Sequence, residues 1–166
     1  MQLLHALIKS NLDVNIRMRV KRNARLAAVQ VIFQYYFLKS DIKNIINDYK
    51  YFSDESLKIK LNKFDKKLFD KIVLGVCCNE KKIKNLIESN LSENWIYERV
   101  DPTMRAIISL GVFELTFCRN TPHKVIINEY VSIAGLFFDN SNTGFINGIL
   151  DNLYKKIRIN ERKLPY

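Results

Sequence analysis

The chain has 166 residues, 48% apolar and 27% charged, enough for one domain with its own hydrophobic core and too apolar for wholesale disorder. With only 5 Gly and 3 Pro it has too few turn-makers for the short strands of a sandwich or barrel, so long helices are favoured. The formal net charge of +10 is uneven: residues 1–26 hold six cations against one acid, residues 155–166 hold five against one, and the rest adds only +1. Clustered positive charge attracts phosphate-bearing polymers, whereas spread charge mostly confers solubility. A lysine-rich composition accounts for part of the excess but not for the arginines near the start. Cys77, Cys78 and Cys118 form neither a disulfide framework nor a metal-spaced set, and read as reduced, mostly buried residues. No apolar run reaches the ~18 residues that span a bilayer. MQLLHALIKS carries its cation after its apolar patch, a poor signal peptide, so a cytoplasmic location is expected.

In chain order, Arg22 to about Leu38 reads as a helix with apolar stripes at 26, 29, 33, 36, 37 and at 24, 28, 31, 35. A helix apolar on nearly all sides is covered by its own domain or partly by a partner. Asp41–Tyr51 is a second, shorter helix, and Ser53–Asn62 is the most polar stretch and the best hinge. Phe64 to about Asn90 reads as one long helix in which Gly75 marks a close helix contact, because Gly there costs about 1 kcal/mol against Ala.

Asp101-Pro102 is an N-cap followed by proline at the first helical position, opening a helix to about Arg119 with Met104, Ile107, Ile108, Gly111, Leu115 and Cys118 on one face. Thr121-Pro122 repeats the device and starts a helix that stops around Asp139–Asn142. Phe145, Ile146, Ile149, Leu150, Leu153 and Ile157 mark the last helix. The expected fold is all-α: about seven helices in two small groups, without a parallel-sheet pattern.

Three ordered blocks, RVDPTMRAIISLGVFEL, TPHKVIINEYVSIAGLF and TGFINGILDNLY, together with the opening KRNARLAAVQVIFQYY, resemble the NusB family of bacterial transcription antitermination proteins over residues 18–157. The resemblance implies a domain over 18–158, in helical subdomains of about 18–90 and 91–158. Residues 1–17 are then an extension outside it and 159–166 a basic tail. It also implies a non-catalytic factor that binds boxA-type single-stranded RNA together with the small-subunit ribosomal protein NusE. That complex joins RNA polymerase and suppresses termination on ribosomal RNA operons. No cofactor is implied, and members of the family occur as monomers and as dimers.

Carried over by position, Lys21, Arg22 and Arg25 meet RNA phosphates. The three share one side of the helix in its first turn or so, where the dipole also favours a phosphate. Arg22 and Arg25 precede the apolar stripe counted from Leu26, so neither is expected to serve the core. Phe145 stands where the family places an aromatic near RNA, with base stacking and core packing both open to it. Gly144 replaces a lysine common in relatives, which puts a phosphate contact there in doubt. Phe33 matches an aromatic that the family uses near NusE, and Glu88 is a candidate for the same surface from charge complementarity.

Asn147-Gly148 suggests tight helix packing with a buried hydrogen bond, and Asn128-Glu129 a pair on the polar side of its helix. His5 and His123 read as isolated, with no metal cluster. No phosphate loop or nucleophile elbow points to an enzyme. Two other readings remain: an RNA-targeting domain like that of ribosomal RNA cytosine methyltransferases, and a protein-only adaptor.

Overall fold

A computed structural model describes the backbone of residues 2–55, 64–91 and 96–162, with side chains over 13–49, 64–91 and 96–157. Among the described residues every regular element is helical: α1 (Gln2–Leu38), α2 (Ile42–Glu55), α3 (Lys66–Cys78), α4 (Glu80–Glu88), a 3-10 turn (Tyr97–Arg99), α5 (Pro102–Phe117), α6 (His123–Ala134) and α7 (Asn140–Arg162).

The centre is α5. Every residue from Ala106 to Leu115 is buried, so this helix is covered on all sides rather than on the single face read from its spacing. It packs against α1, α3, α4, α6 and α7. Asp101 caps it as expected, its side chain accepting from the backbone N–H of Thr103 at 2.8 Å and of Met104 at 3.1 Å. Two glycines allow neighbours to approach closely. A Cβ on Gly75 would lie 2.0 Å from Phe113 Cζ, and one on Gly111 would lie 2.8 Å from Leu150 Cδ2. The expected close contact at Gly75 is therefore a crossing of α3 over α5.

Several boundaries differ from the sequence reading. The helix expected over 64–90 breaks into α3 and α4 at Asn79, whose side chain donates to the Gly75 carbonyl at 2.9 Å. An asparagine amide competes in this way with the helix ladder. Helix α6 ends at Ala134, short of Asp139, and Thr121 does not cap it: the N-cap is Pro122, without a side-chain bond. At Gly148 nothing lies within 4 Å of an added Cβ and Asn147 is exposed, so this pair is not a packing device. Of the cysteines, Cys118 is buried, Cys77 half-buried and Cys78 exposed. Most of the hinge expected at 53–62, and the tail beyond 162, lie outside the described residues.

The largest difference is in α1, which begins at Gln2 rather than near Arg22 and runs 37 residues. That is about 55 Å of helix at 1.5 Å per residue. Its two halves contrast: residues 13–19 are all exposed, whereas Ala24, Ala27, Ala28, Val29, Val31 and Ile32 belong to the core. The helix stops at Leu38, where Lys39 takes a positive φ of 50° and donates its N–H to the Tyr35 carbonyl at 3.1 Å.

Candidate nucleic-acid interface

The cations of α1 stand at graded depth along the helix. Arg17, Arg19 and Lys21 are exposed, and none is held in an ion pair with another described residue. Arg19 and Arg22 line one open groove of about 500 Å³ with Asn15, Ile16 and Met18. Three residues further on, Arg25 is 3% exposed.

The burial of Arg25 is compensated by carboxylates from two other helices. Its Nε and Nη2 donate to the two oxygens of Glu114 on α5 at 2.8 and 2.9 Å, a two-pronged fork. Tyr130 on α6 donates its hydroxyl to the same Glu114 at 2.7 Å. Desolvation alone would push the Arg25 guanidinium down, but the hydrogen bonds and charge of Glu114 outweigh it and hold the group above its ordinary value. Burial and the neighbouring Glu114 likewise push the Tyr130 hydroxyl well up. Glu129 on α6 extends the cluster. It lies 3.7 Å from Arg25 Nη1 and accepts from Arg22 through Nη2 at 2.6 Å and Nε at 3.2 Å. Arg22 keeps 51% of its side chain exposed, whereas Glu129 keeps 8%.

This geometry corrects three expectations. Arg25 is not dispensable for the core: it is a buried strut joining α1 to α5 and α6, and its fork faces Glu114 rather than solvent. Lys21, Arg22 and Arg25 do not stand in a first turn, since α1 begins some twenty residues earlier, so no terminal N–H groups or dipole end adds to their attraction for phosphate. Glu129 is buried and ion-paired rather than on a polar side, although its neighbour Asn128 is exposed. The signal for this was present in the sequence: Glu114 in ISLGVFEL and Glu129 in VIINEY are acids inside apolar runs. A buried carboxylate requires a cation.

The remaining candidates lie elsewhere on the molecule. Phe145 is half-buried on α7 and packs against the core, with Gly144 exposed beside it. Phe33 is half-buried, stacks on the exposed Phe37 at 5.9 Å, and lines an open groove of about 360 Å³ with Val29, Gln30, Gln34, Thr103 and Phe137. Since Phe137 is itself exposed, the apolar surface continues from α1 across to the end of α6. Glu88 stands on α4, exposed and 3.7 Å from Lys84 one turn earlier. His123 stacks flat on Tyr154, ring centroids 3.9 Å apart. No group of three or more metal-binding side chains occurs among the described residues.

A family model described as the NusB family matches residues 22–155. The chain belongs to the NusB family. It is 35% identical over 144 residues to the transcription antitermination protein NusB of Caulobacter vibrioides, covering 86% of this chain and 97% of that one. It is 37% identical over 145 residues to the NusB of Sinorhizobium fredii, covering 84% and 89%. Among solved structures, T. maritima NusB matches with a TM-score of 0.67 and 29% identity over 81% of this chain and 89% of that one. A structure of the antitermination factors NusB and NusE in complex with double-stranded RNA shares the fold, with a TM-score of 0.70 and 22% identity over 84% and 98%. The NusB match begins at Arg22, so the exposed cations Arg17, Arg19 and Lys21 precede the matched segment on the same continuous helix. No helix among the described residues is long and apolar enough to cross a membrane.

Proposed function

We propose that this NusB-family protein is a non-catalytic, cytoplasmic transcription antitermination factor that binds boxA-type single-stranded RNA together with NusE and joins the RNA polymerase antitermination complex. The observation that carries the reading is the match of the family over residues 22–155, combined with the exposed cations of α1 immediately before it. In this reading residues 18–158 are the working domain, divided near residue 90, and residues 1–17 are an arm outside it. Lys21 and the outer edge of Arg22 meet phosphates. Phe145 offers a ring to a base, and the apolar groove at Phe33 and the exposed Glu88 on α4 receive NusE.

The experiment is co-purification of the chain with NusE from the same cell, then binding of the pair to a boxA-like oligonucleotide over a range of salt. The expected result is a stable pair whose RNA affinity falls log-linearly with salt, by about 0.7 per neutralised phosphate. A pair without RNA affinity at low salt would leave the adaptor reading in its place.

A further inference from the structure

Arg22 is a family-matched cation that faces the solvent groove of α1 while also held by a carboxylate, and that carboxylate has no part in the function proposed above. Glu129 occupies one whole edge of the Arg22 guanidinium, accepting from Nε and Nη2. It is nearly buried and fixed from behind by Arg25, so it cannot swing out of the way as a surface side chain would. The cluster of Arg22, Arg25, Glu114 and Glu129 is two cations against two anions, neutral as a unit.

Neutrality has a consequence for RNA. A phosphate that docks on Arg22 either shares it with Glu129, adding no net cation, or displaces Glu129, which then takes up a counterion of its own. In both cases the counterions released from RNA are not matched by a newly offered charge, so Arg22 adds little to the salt-dependent part of binding. The exposed Arg17, Arg19 and Lys21, which carry no such carboxylate among the described residues, supply that part.

Resting on the RNA-binding reading, we propose that Glu129 is an affinity-setting residue of the RNA surface: it competes with phosphate for Arg22 and keeps binding weaker than the cations of α1 would otherwise make it.

The test uses the full chain with NusE and a boxA-like oligonucleotide. Glu129→Gln keeps the shape and one acceptor for Arg22 while removing the charge. It is expected to tighten RNA binding by about three- to fivefold, the size of an exposed ion pair, and to steepen the salt slope by about 0.7. In an Arg22→Gln background the same change should alter affinity by less than about twofold, because the competitor then has nothing to compete for. Weaker or unchanged binding by a normally melting Glu129→Gln chain overturns the proposal, since Glu129 would then orient Arg22 toward RNA or be irrelevant to it. Because Glu129 also touches Arg25, its substitution can lower stability, and the paired change Arg22→Gln, Glu129→Gln gives a second reading. It removes one cation and one anion, so affinity should fall only through missing hydrogen bonds while the salt slope stays that of the parent chain. A slope shallower by about 0.7 would mark Arg22 as an uncompensated phosphate contact and overturn the inference. Absence of RNA binding by the unaltered pair is a different outcome: it removes the parent reading, and this inference with it.

Discussion

Arg25 and Lys21 are one helical turn apart on α1, yet one is 3% exposed and bound on a fork to Glu114 while the other stands in solvent. Between them, Arg22 is half in each world. The difference lies in what reaches the helix: carboxylates of α5 and α6 meet Arg25, and Glu129 of α6 meets Arg22, but none meets Lys21 among the described residues. Two cations therefore have opposite surroundings within one turn. A buried arginine with a carboxylate joins helices, because removing either partner strands a charge in the core. An exposed cation without a carboxylate is available to a polyanion.

The sharpest way to break this contrast is to remove the buried member. Arg25→Ala leaves Glu114 buried with Tyr130 as its remaining donor and should cost about 3 to 5 kcal/mol. At about 2 to 4 °C per kcal/mol, the melting temperature should drop by roughly 10 °C. A chain that melts as before would mean that the buried fork contributes nothing to stability.

A smaller loss is expected where α3 crosses α5. Gly75→Ala places a methyl group 2.0 Å from Phe113 Cζ, a position that Phe113 has to vacate. Overpacking of this kind costs about 1 to 3 kcal/mol, which a denaturant titration detects as a lower midpoint at unchanged slope. A midpoint equal to that of the parent chain would show that the crossing is looser than described.

On the exposed side, Phe33→Ala removes a ring stacked on solvent-facing Phe37, so its effect should fall on partner binding more than on folding. About a tenfold loss of NusE affinity is expected, with a drop in melting temperature smaller than that of Arg25→Ala, since Phe33 also packs half-buried against the core. Full-strength binding by a normally folded variant would move the NusE surface away from this groove.

The smallest effect belongs to the amino-terminal arm. The side chains at 13–17 are all exposed, so deletion of residues 1–17 should shift the melting temperature by no more than about 2 °C in a thermal scan. A loss of several degrees would place the arm inside the cooperative unit.

The fold was legible where apolar spacing and caps coincide. Asp101-Pro102 opens α5 as its chemistry requires, and Gly75 marks a crossing. It was illegible where a single polar side chain redirects the backbone, as Asn79 does in separating α3 from α4. The start of α1 is less legible: Leu4, Leu7, Val14 and Met18 recur at helical spacing, yet Val14 and Met18 are exposed, so at these positions the stripe does not mark a core-facing side. For the site, spacing correctly grouped Arg22 with Arg25, which meet on Glu129. It gave their side of the helix but not their depth. Counting Ala24 as the start of the buried stretch, and asking which cations answer the acids Glu114 and Glu129, would have separated the strut from the surface.

In the function proposed above, helix α1 divides into a half that folds and a half that meets RNA, and one measurement tests that division most directly. It is the salt dependence of boxA RNA binding, with NusE present, for a chain carrying Arg17→Ala, Arg19→Ala and Lys21→Ala together. All three side chains are exposed, so the melting temperature should stay within about 1 to 2 °C of the parent. The slope of log affinity against log salt should become shallower by about 0.7 for each phosphate no longer neutralised, up to about 2 in all. An unchanged slope, or a chain that no longer folds, would contradict the division.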